Sequence, residues 1–132
     1  RQMGEYEKAL PLYQRALEII EKVLGPQHPS VATTLNNLAA LYESMGEYEK
    51  ALPLYQRALE ILEKVLGPEH PSVAVTLNNL AGLYYNTERY EEALPLVERS
   101  LKIRERKLGS SHPDFKTTKQ NIQALKTKMK EK

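Results

Sequence analysis

The chain repeats itself with a period of 42 residues, and this repeat constrains the fold more than any other feature. Residues 1–42 and 43–84 are identical at 36 of 42 positions. The six differences are Arg1/Glu43, Gln2/Ser44, Ile20/Leu62, Gln27/Glu69, Thr33/Val75 and Ala40/Gly82. The third copy, 85–126, diverges further but keeps Tyr90, Ala93, Pro95, Leu101, Gly109, His112, Pro113, Asn121 and Leu125. Such a chain buries its apolar surface by stacking neighbouring units.

Each period predicts two helices. Between Glu47 and Leu66, apolar residues recur at the spacing of one helical face. They are Tyr48, Ala51, Leu52, Tyr55, Ala58, Leu59, Leu62, Val65 and Leu66. The tyrosine rings are expected to fill gaps and to send their hydroxyls outward. A Gly-Pro pair ends this helix, and Ser72 is predicted to cap the next one, as Ser30 does in the first copy. The buried face of that helix is predicted to contain Val73, Ala74, Leu77, Leu80, Ala81 and Tyr84.

Three prolines, Pro11, Pro53 and Pro95, fall inside the predicted long helices. A proline removes one backbone hydrogen bond and bends the helix axis. We therefore expect each long helix to be continuous but slightly bent.

Composition excludes several classes of protein. The 132 residues include no cysteine, so disulfides and thiolate metal sites are excluded. No apolar run approaches the roughly 18 residues that span a bilayer, and the first residues do not resemble a signal peptide. The chain is therefore expected to be cytoplasmic. Its charge is asymmetric, since residues 1–88 carry a net −4 and residues 89–132 a net +6.

The spacing Gly46-x-Tyr48-x-x-Ala51-x-x-x-Tyr55-x-x-Ala58-Leu59 resembles the tetratricopeptide repeat (TPR) pattern of small and large residues. The Leu-Asn-Asn-Leu-Ala strings at 35–39 and 77–81, with Leu-Gly-Pro-x-His-Pro loops, look like the 42-residue repeats of kinesin light chains and nephrocystin-type arrays. The resemblance implies an all-α fold, a right-handed α–α superhelix of antiparallel helix hairpins with a C-terminal capping helix. We expect one array fragment of about six helices: an orphan second helix and loop (1–29), repeats at 30–71 and 72–112, and the cap (113–132).

The same resemblance implies that the first helix of each pair lines an inner, concave surface that binds a peptide. Residues pointing away from the apolar stripe are Thr33, Asn36, Asn37, Ala40, Glu43, Ser44, Val75, Asn78, Asn79, Gly82, Tyr85 and Asn86. A carboxamide both donates and accepts hydrogen bonds, which suits the backbone of an extended peptide. The predicted peptide-binding residues are Asn36, Asn37, Asn78, Asn79, Gly82, Tyr85, Asn86 and Asn121.

Other interpretations of these residues stay open. One asparagine of each pair could bond a neighbouring carbonyl and serve packing alone. The replacements Ala40 to Gly82 and Glu43 to Tyr85 predict a small hollow beside an aromatic wall, or else reflect sequence drift. The TPR subgroup that grips C-terminal carboxylates uses inner lysines and arginines, and the inner positions of the first two complete copies, within 33–44 and 75–86, have no basic residue. Carboxylate recognition is therefore disfavoured.

Catalytic, cofactor and metal functions find no support. His28, His70 and His112 recur one repeat apart in loops without a cysteine or carboxylate cluster, which predicts a structural loop role. No phosphate-binding glycine loop or nucleophile motif is present, so we predict no enzyme activity and no cofactor. The basic runs at 102–107 and 126–130 lack interleaved aromatic residues. They predict a solvated face rather than binding to nucleic acid or membrane.

The two ends of the chain differ in pattern. In the third copy Lys119, Gln123 and Lys126 replace apolar residues, which leaves the narrow stripe of a capping helix: Phe115, Ile122, Leu125 and Met129. The first helix presents an apolar stripe with no preceding partner, so self-association through this N-terminal face is expected. The leading hypothesis is a scaffold that binds a peptide segment of a partner protein. The alternative is an architectural or self-assembling solenoid segment without a peptide ligand.

Overall fold

The computed structural model describes the backbone of residues 2–108 and 113–131. Within these ranges the chain forms six α-helices and no strand. They are α1 (Gln2–Leu24), α2 (Pro29–Ser44), α3 (Tyr48–Leu66), α4 (Pro71–Asn86), α5 (Tyr90–Leu108) and α6 (Pro113–Lys130). No helix within the described ranges is both long and apolar enough to cross a bilayer. The chain divides into two compact units, Arg1–Pro68 and Glu69–Lys132, called unit 1 and unit 2 below.

Unit 1 is organised around α2, which packs against both α1 and α3. The side chains of Val31, Ala32, Leu35 and Ala39 on α2 are completely buried. Ala51 and Ala58 on α3 are buried as well, because small side chains let two helix backbones approach closely. The predicted apolar stripes therefore form the core of this unit.

The starts of α2 and α4 correct one prediction. The helices begin at Pro29 and Pro71, so Ser30 and Ser72 lie in the first turn and are not the N-caps. His28 and His70 hold that position, and the imidazole Nδ1 of each accepts a hydrogen bond from the serine backbone N–H two residues later, at 3.0 Å. A proline at the first helical position is favourable because it has no N–H to satisfy there. The loop role predicted for these histidines is thus helix capping.

The long helices are continuous through their prolines, as predicted, since Pro11, Pro53 and Pro95 all lie inside α1, α3 and α5. Gly25 and Gly67 follow the ends of α1 and α3 with φ angles of 92° and 98°. Such left-handed conformations suit a residue without a Cβ atom. These glycines end the helices where the sequence predicts.

The last turn of α3 departs from the predicted stripe. Val65 and Leu66 are exposed, whereas Ile61, which the stripe omitted, is buried. Helix α3 has 19 residues and its partner α2 has 16, so α3 is about 4.5 Å longer at 1.5 Å per residue, and we infer that its last turn extends beyond α2. Residues at the overhanging end have no facing helix within unit 1.

Unit 2 is organised around α5, which packs against α4 and α6. The hydroxyl of the buried Ser100 donates to the carbonyl oxygen of Ala74 at 3.1 Å, joining α5 to α4. Only one side of α6 faces the core: Leu125 is buried, whereas Lys119 and Lys126 are exposed. This is the pattern predicted for a capping helix. The predictions for His112 and for the side chain of Phe115 lie outside the described residues.

Candidate functional site

Unit 2 contains a cavity of about 340 Å³ between helices α4, α5 and α6. Helix α4 supplies more than half of the lining, while α5 and α6 close the other sides. The lining residues are Asn78, Ala81, Gly82, Tyr85, Asn86, Val97, Asn121, Ala124 and Leu125. This volume falls in the range of cavities that hold small ligands or a single side chain.

Helical spacing explains how α4 lines the cavity. Asn78, Gly82 and Tyr85 lie four and three residues apart, so they share one face of the helix. Asn121 and Leu125 on α6 are likewise four residues apart and face the same space. Asn121 corresponds to Asn79 in the repeat, so the cavity combines the first asparagine position of α4 with the second asparagine position of α6.

Two features shape the mouth of the cavity. The ring of Tyr85 meets the ring of Tyr90 edge to face, with 5.3 Å between centroids and an angle of 64° between the planes. Gly82 leaves open space, since a Cβ atom placed there would meet no other atom within 4 Å. The wall beside Gly82 is therefore aromatic and partly fixed in place.

The chemistry of the lining is neutral. Ala81, Val97 and Leu125 supply buried apolar surface, and the three asparagines supply carboxamide groups. No Asp, Glu, Lys or Arg is among the described residues that line this cavity. A neutral lining of this kind can hold an apolar group and hydrogen-bond an adjacent peptide backbone, but it would not compensate a buried charge.

Five of the eight residues predicted to bind a peptide line this cavity: Asn78, Gly82, Tyr85, Asn86 and Asn121. The other three do not. Asn36 and Asn37 belong to unit 1, and Asn79 lies on α4 outside the lining.

Four lining residues were missed by sequence reasoning: Ala81, Val97, Ala124 and Leu125. Ala81 and Leu125 had been assigned to the core, where they also contribute. One signal was present in the repeat, because Val97 replaces the tyrosine that the first two copies carry as Tyr13 and Tyr55.

Unit 1 has different residues at the positions of Tyr85 and Val97, namely Glu43 and Tyr55. Tyr55 is 2% exposed, and its hydroxyl donates to Oε1 of Glu43 at 2.9 Å. The prediction that this hydroxyl points outward is therefore wrong. Burial raises the pKa of Tyr55 well above its ordinary value, and the adjacent Glu43 carboxylate raises it further.

A larger groove in unit 1, of about 590 Å³, has a charged lining that includes Arg57, Glu60, Glu63 and Lys64. Arg57 pairs there with Glu21, with 2.6 Å between Nη2 and Oε2. A charged, solvated groove of this type is a weaker candidate for burying a ligand than the neutral cavity of unit 2. Within the described part of the chain, no group of three or more His, Asp or Glu residues could hold a metal ion.

Helix pairs repeated every 42 residues, with small residues where the helices touch, define a tetratricopeptide-type helical repeat protein. The nephrocystin-3 TPR domain family matches residues 1–131, and the chain belongs to this family. The resemblance found in the sequence and the predicted fold class are thereby confirmed. Proteins of this kind generally act as non-enzymatic scaffolds for protein–protein interaction.

Solved structures agree with this assignment. BtubC (BKLC) from P. vanneervenii has a TM-score of 0.87 and 32% identity, and the match covers 96% of this chain and 50% of that one. A protein of Podosopora anserina assigned as a kinesin light chain, with nearly identical TPR-like repeats, has a TM-score of 0.85 and 28% identity. That match covers 96% of this chain and 60% of the other protein. The Sgt2 TPR domain from Aspergillus fumigatus has a TM-score of 0.66 and 25% identity, and the match covers 98% of this chain and 72% of that domain. The chain thus spans half to three fifths of the length of the first two proteins.

Proposed function

We propose that this chain binds a peptide segment of a partner protein and that the cavity of unit 2 holds one side chain of that segment. The proposal rests on one observation: an apolar floor, an aromatic wall and carboxamide groups line the same neutral cavity of about 340 Å³. Carboxamides on two of the lining helices, α4 and α6, can bond the peptide backbone while the floor takes the side chain. Family membership supports a protein partner, and the cavity supports a peptide as the recognised form.

Asn78, Asn86 and Asn121 are the proposed backbone contacts, and Gly82 and Tyr85 border the space for the inserted side chain. Asn36, Asn37 and Asn79 are proposed as contacts on repeat equivalence alone. The neutral lining favours an uncharged inserted side chain. No nucleic acid, membrane, cofactor or reaction enters the proposal, and a cytoplasmic location stays a prediction from the sequence.

Peptide-library capture tests the proposal. We expect the full chain to enrich a discrete set of peptides and the double variant Asn78→Ala/Asn121→Ala to lose them. The matched control is Gln56→Ala/Gln123→Ala, which removes two exposed carboxamides that lie outside the cavity lining. Circular dichroism establishes that both variants remain helical. Equal capture by the wild type and the Asn78/Asn121 variant contradicts the cavity as the site, and no enrichment by any protein contradicts peptide binding.

A second candidate function is self-association through α1, and a specific observation favours it. Ile19 on α1 is 50% exposed, whereas Ile61, its equivalent on α3, is 1% exposed. The proposed occupant of the exposed face is a second copy of this chain. The test is the oligomeric state of the chain, measured over a range of protein concentrations.

A further inference from the structure

The two units carry different side chains at two positions of the repeat. The positions concerned are 43 and 55 in unit 1 and the equivalent 85 and 97 in unit 2. Unit 1 carries an acid and a tyrosine there, and unit 2 carries a tyrosine and a valine. Both residues of the pair differ between the units. Helices α2 and α4, which carry positions 43 and 85, are identical at 12 of 16 positions, whereas α3 and α5, which carry positions 55 and 97, are identical at 11 of 19.

In unit 1 the two side chains of the pair are hydrogen-bonded to each other. The ring of Tyr55 is buried, and its hydroxyl is satisfied by the Glu43 carboxylate 2.9 Å away. The long helix therefore fills the space beside α2 with its own aromatic side chain, and the hydrogen bond removes the cost of burying the hydroxyl.

In unit 2 the pair leaves space. Val97 is buried and lines the cavity, but its side chain is far smaller than a phenol. The side chain of residue 97 has no polar atom to bond with Tyr85, whose ring packs edge to face with Tyr90. The change from tyrosine to valine thus removes a filling ring, while the change from glutamate to tyrosine removes the carboxylate.

We infer that residues 85 and 97 form an exchangeable pair that decides whether this space is filled by the chain itself or is open to a neutral apolar side chain of a partner. Val97 is then a specificity-determining residue, although it offers no hydrogen bond. The inference rests on the proposed peptide-binding function for its biological meaning, but the opening and closing of the cavity can be measured without a peptide.

The test uses the full chain with toluene as a neutral probe and p-toluenesulfonate as a charged probe of similar shape. Methyl resonances of Val97 and Leu125 report occupancy of the cavity, and the captured peptides are titrated in parallel. The variant Val97→Tyr/Tyr85→Glu rebuilds the pair of unit 1. Tyr85→Glu alone keeps the valine, so its comparison with the rebuilt pair separates the loss of the aromatic wall from the filling of the space, and thermal unfolding monitors the fold of each protein.

We expect toluene to shift the Val97 methyl resonances in the wild type and, less strongly, in Tyr85→Glu, which loses the aromatic wall but keeps the space beside Val97. We expect p-toluenesulfonate to bind more weakly than toluene. The rebuilt pair is expected to lose toluene and peptide binding by about tenfold or more, because a ring occupies the space. Its thermal midpoint should be no lower than that of Tyr85→Glu, since the new phenol gains a carboxylate partner.

Two results would overturn the inference: no response of the Val97 and Leu125 methyl resonances to toluene in the wild type, or a Leu125 methyl response in the folded rebuilt pair that is as large as in Tyr85→Glu. Peptide results separate the two claims. A toluene response that the rebuilt pair abolishes, without any peptide capture, supports the pair and contradicts the peptide-binding function. Peptide capture that survives in the rebuilt pair contradicts the pair and leaves peptide binding standing.

Discussion

Glu88 has a backbone conformation that is unfavourable for a residue with a Cβ atom. Its φ angle is 60°, and it occupies the repeat position of Gly46, whose φ angle is 78°. Both residues follow a helix end with the same pair of hydrogen bonds: Glu47 N to Tyr42 O and Gly46 N to Glu43 O, or Arg89 N to Tyr84 O and Glu88 N to Tyr85 O. Unit 2 therefore keeps the glycine geometry after losing the glycine.

Replacing Glu88 with glycine is expected to stabilise the chain by about 1 kcal/mol, because a left-handed conformation is unfavourable for a residue with a Cβ atom. Urea unfolding followed by circular dichroism measures the change. Glu88→Ala removes the same charge but keeps the Cβ atom, so it should give little gain. Equal stability of the glycine and alanine variants would mean that charge, and not backbone conformation, sets the effect.

Tyr55 and Tyr13 provide a matched pair at the residue scale. They have the same neighbours in sequence, yet Tyr55 is 2% exposed and Tyr13 is 37% exposed. Tyr55→Phe removes the hydrogen bond to Glu43 and should cost about 1 kcal/mol, whereas Tyr13→Phe should cost little. Urea unfolding of both variants at pH 8 provides the comparison.

The raised pKa of Tyr55 also predicts a pH dependence. The folded state holds the phenolic proton more tightly than the unfolded state does. The stabilisation is therefore complete below the unfolded pKa of about 10 and is lost as the pH rises above it. The wild type should lose more stability than Tyr55→Phe between pH 8 and about pH 11. Parallel losses in the two proteins would contradict the assignment.

At the scale of the helix, the sequence predicted the elements well because each one satisfies local rules. The stripes of α3 and α4 and the glycine ends follow from residues within single periods. The wrong predictions concern features that depend on the folded conformation of the chain. Exposure of Val65 depends on the length of the facing helix, and the role of His70 as N-cap depends on the local backbone angles.

Part of the candidate site could be predicted from the sequence for the same reason. Asn78 and Gly82 share a face of one helix, which periodicity reveals. Val97 and Leu125 belong to other helices, and their approach to α4 depends on how the helices of unit 2 pack. A comparison of repeat copies at position 97 would have identified the missing ring, whereas Ala124 carries no signal in the sequence.

Gly82 is expected to lower the stability of α4 and to leave space in the cavity for a ligand. A glycine inside a helix costs about 1 kcal/mol relative to alanine, and a Cβ atom at this site would meet nothing within 4 Å. Gly82→Ala should therefore stabilise the chain by about 1 kcal/mol. Because the added methyl group enters the cavity, the same variant should bind captured peptides more weakly. Thermal unfolding and peptide titration measure the two effects.

The control for Gly82→Ala is the reverse change at the equivalent position, Ala40→Gly in unit 1. It should lower stability by a similar amount without weakening a peptide held by unit 2. If Gly82→Ala stabilises the chain and leaves peptide affinity unchanged, then the space beside Gly82 takes no part in recognition.

For the molecule as a whole, the exposed face of α1 predicts association between copies. Leu12 is 70% exposed and Val23 is 72% exposed, and Ile19 and Tyr13 extend the same apolar surface. The equivalents of Ile19 and Tyr13 on α3 are buried, so these positions of the repeat are suited to contact with another helix. We expect the mean mass measured by sedimentation to rise with protein concentration.

The double variant Leu12→Lys/Val23→Lys should shift the chain towards monomer, because burying two ammonium groups in an apolar contact is unfavourable. Val65→Lys is the matched control, since Val65 is the repeat equivalent of Val23 and is also exposed, but lies on α3. Both substitutions are at exposed positions, so helicity and thermal stability should be kept. A monomeric mass for the wild type at the highest concentrations would contradict self-association. An unchanged oligomer in the double variant would assign the contact to another face, whereas loss of the oligomer in the double variant but not in Val65→Lys would assign it to α1.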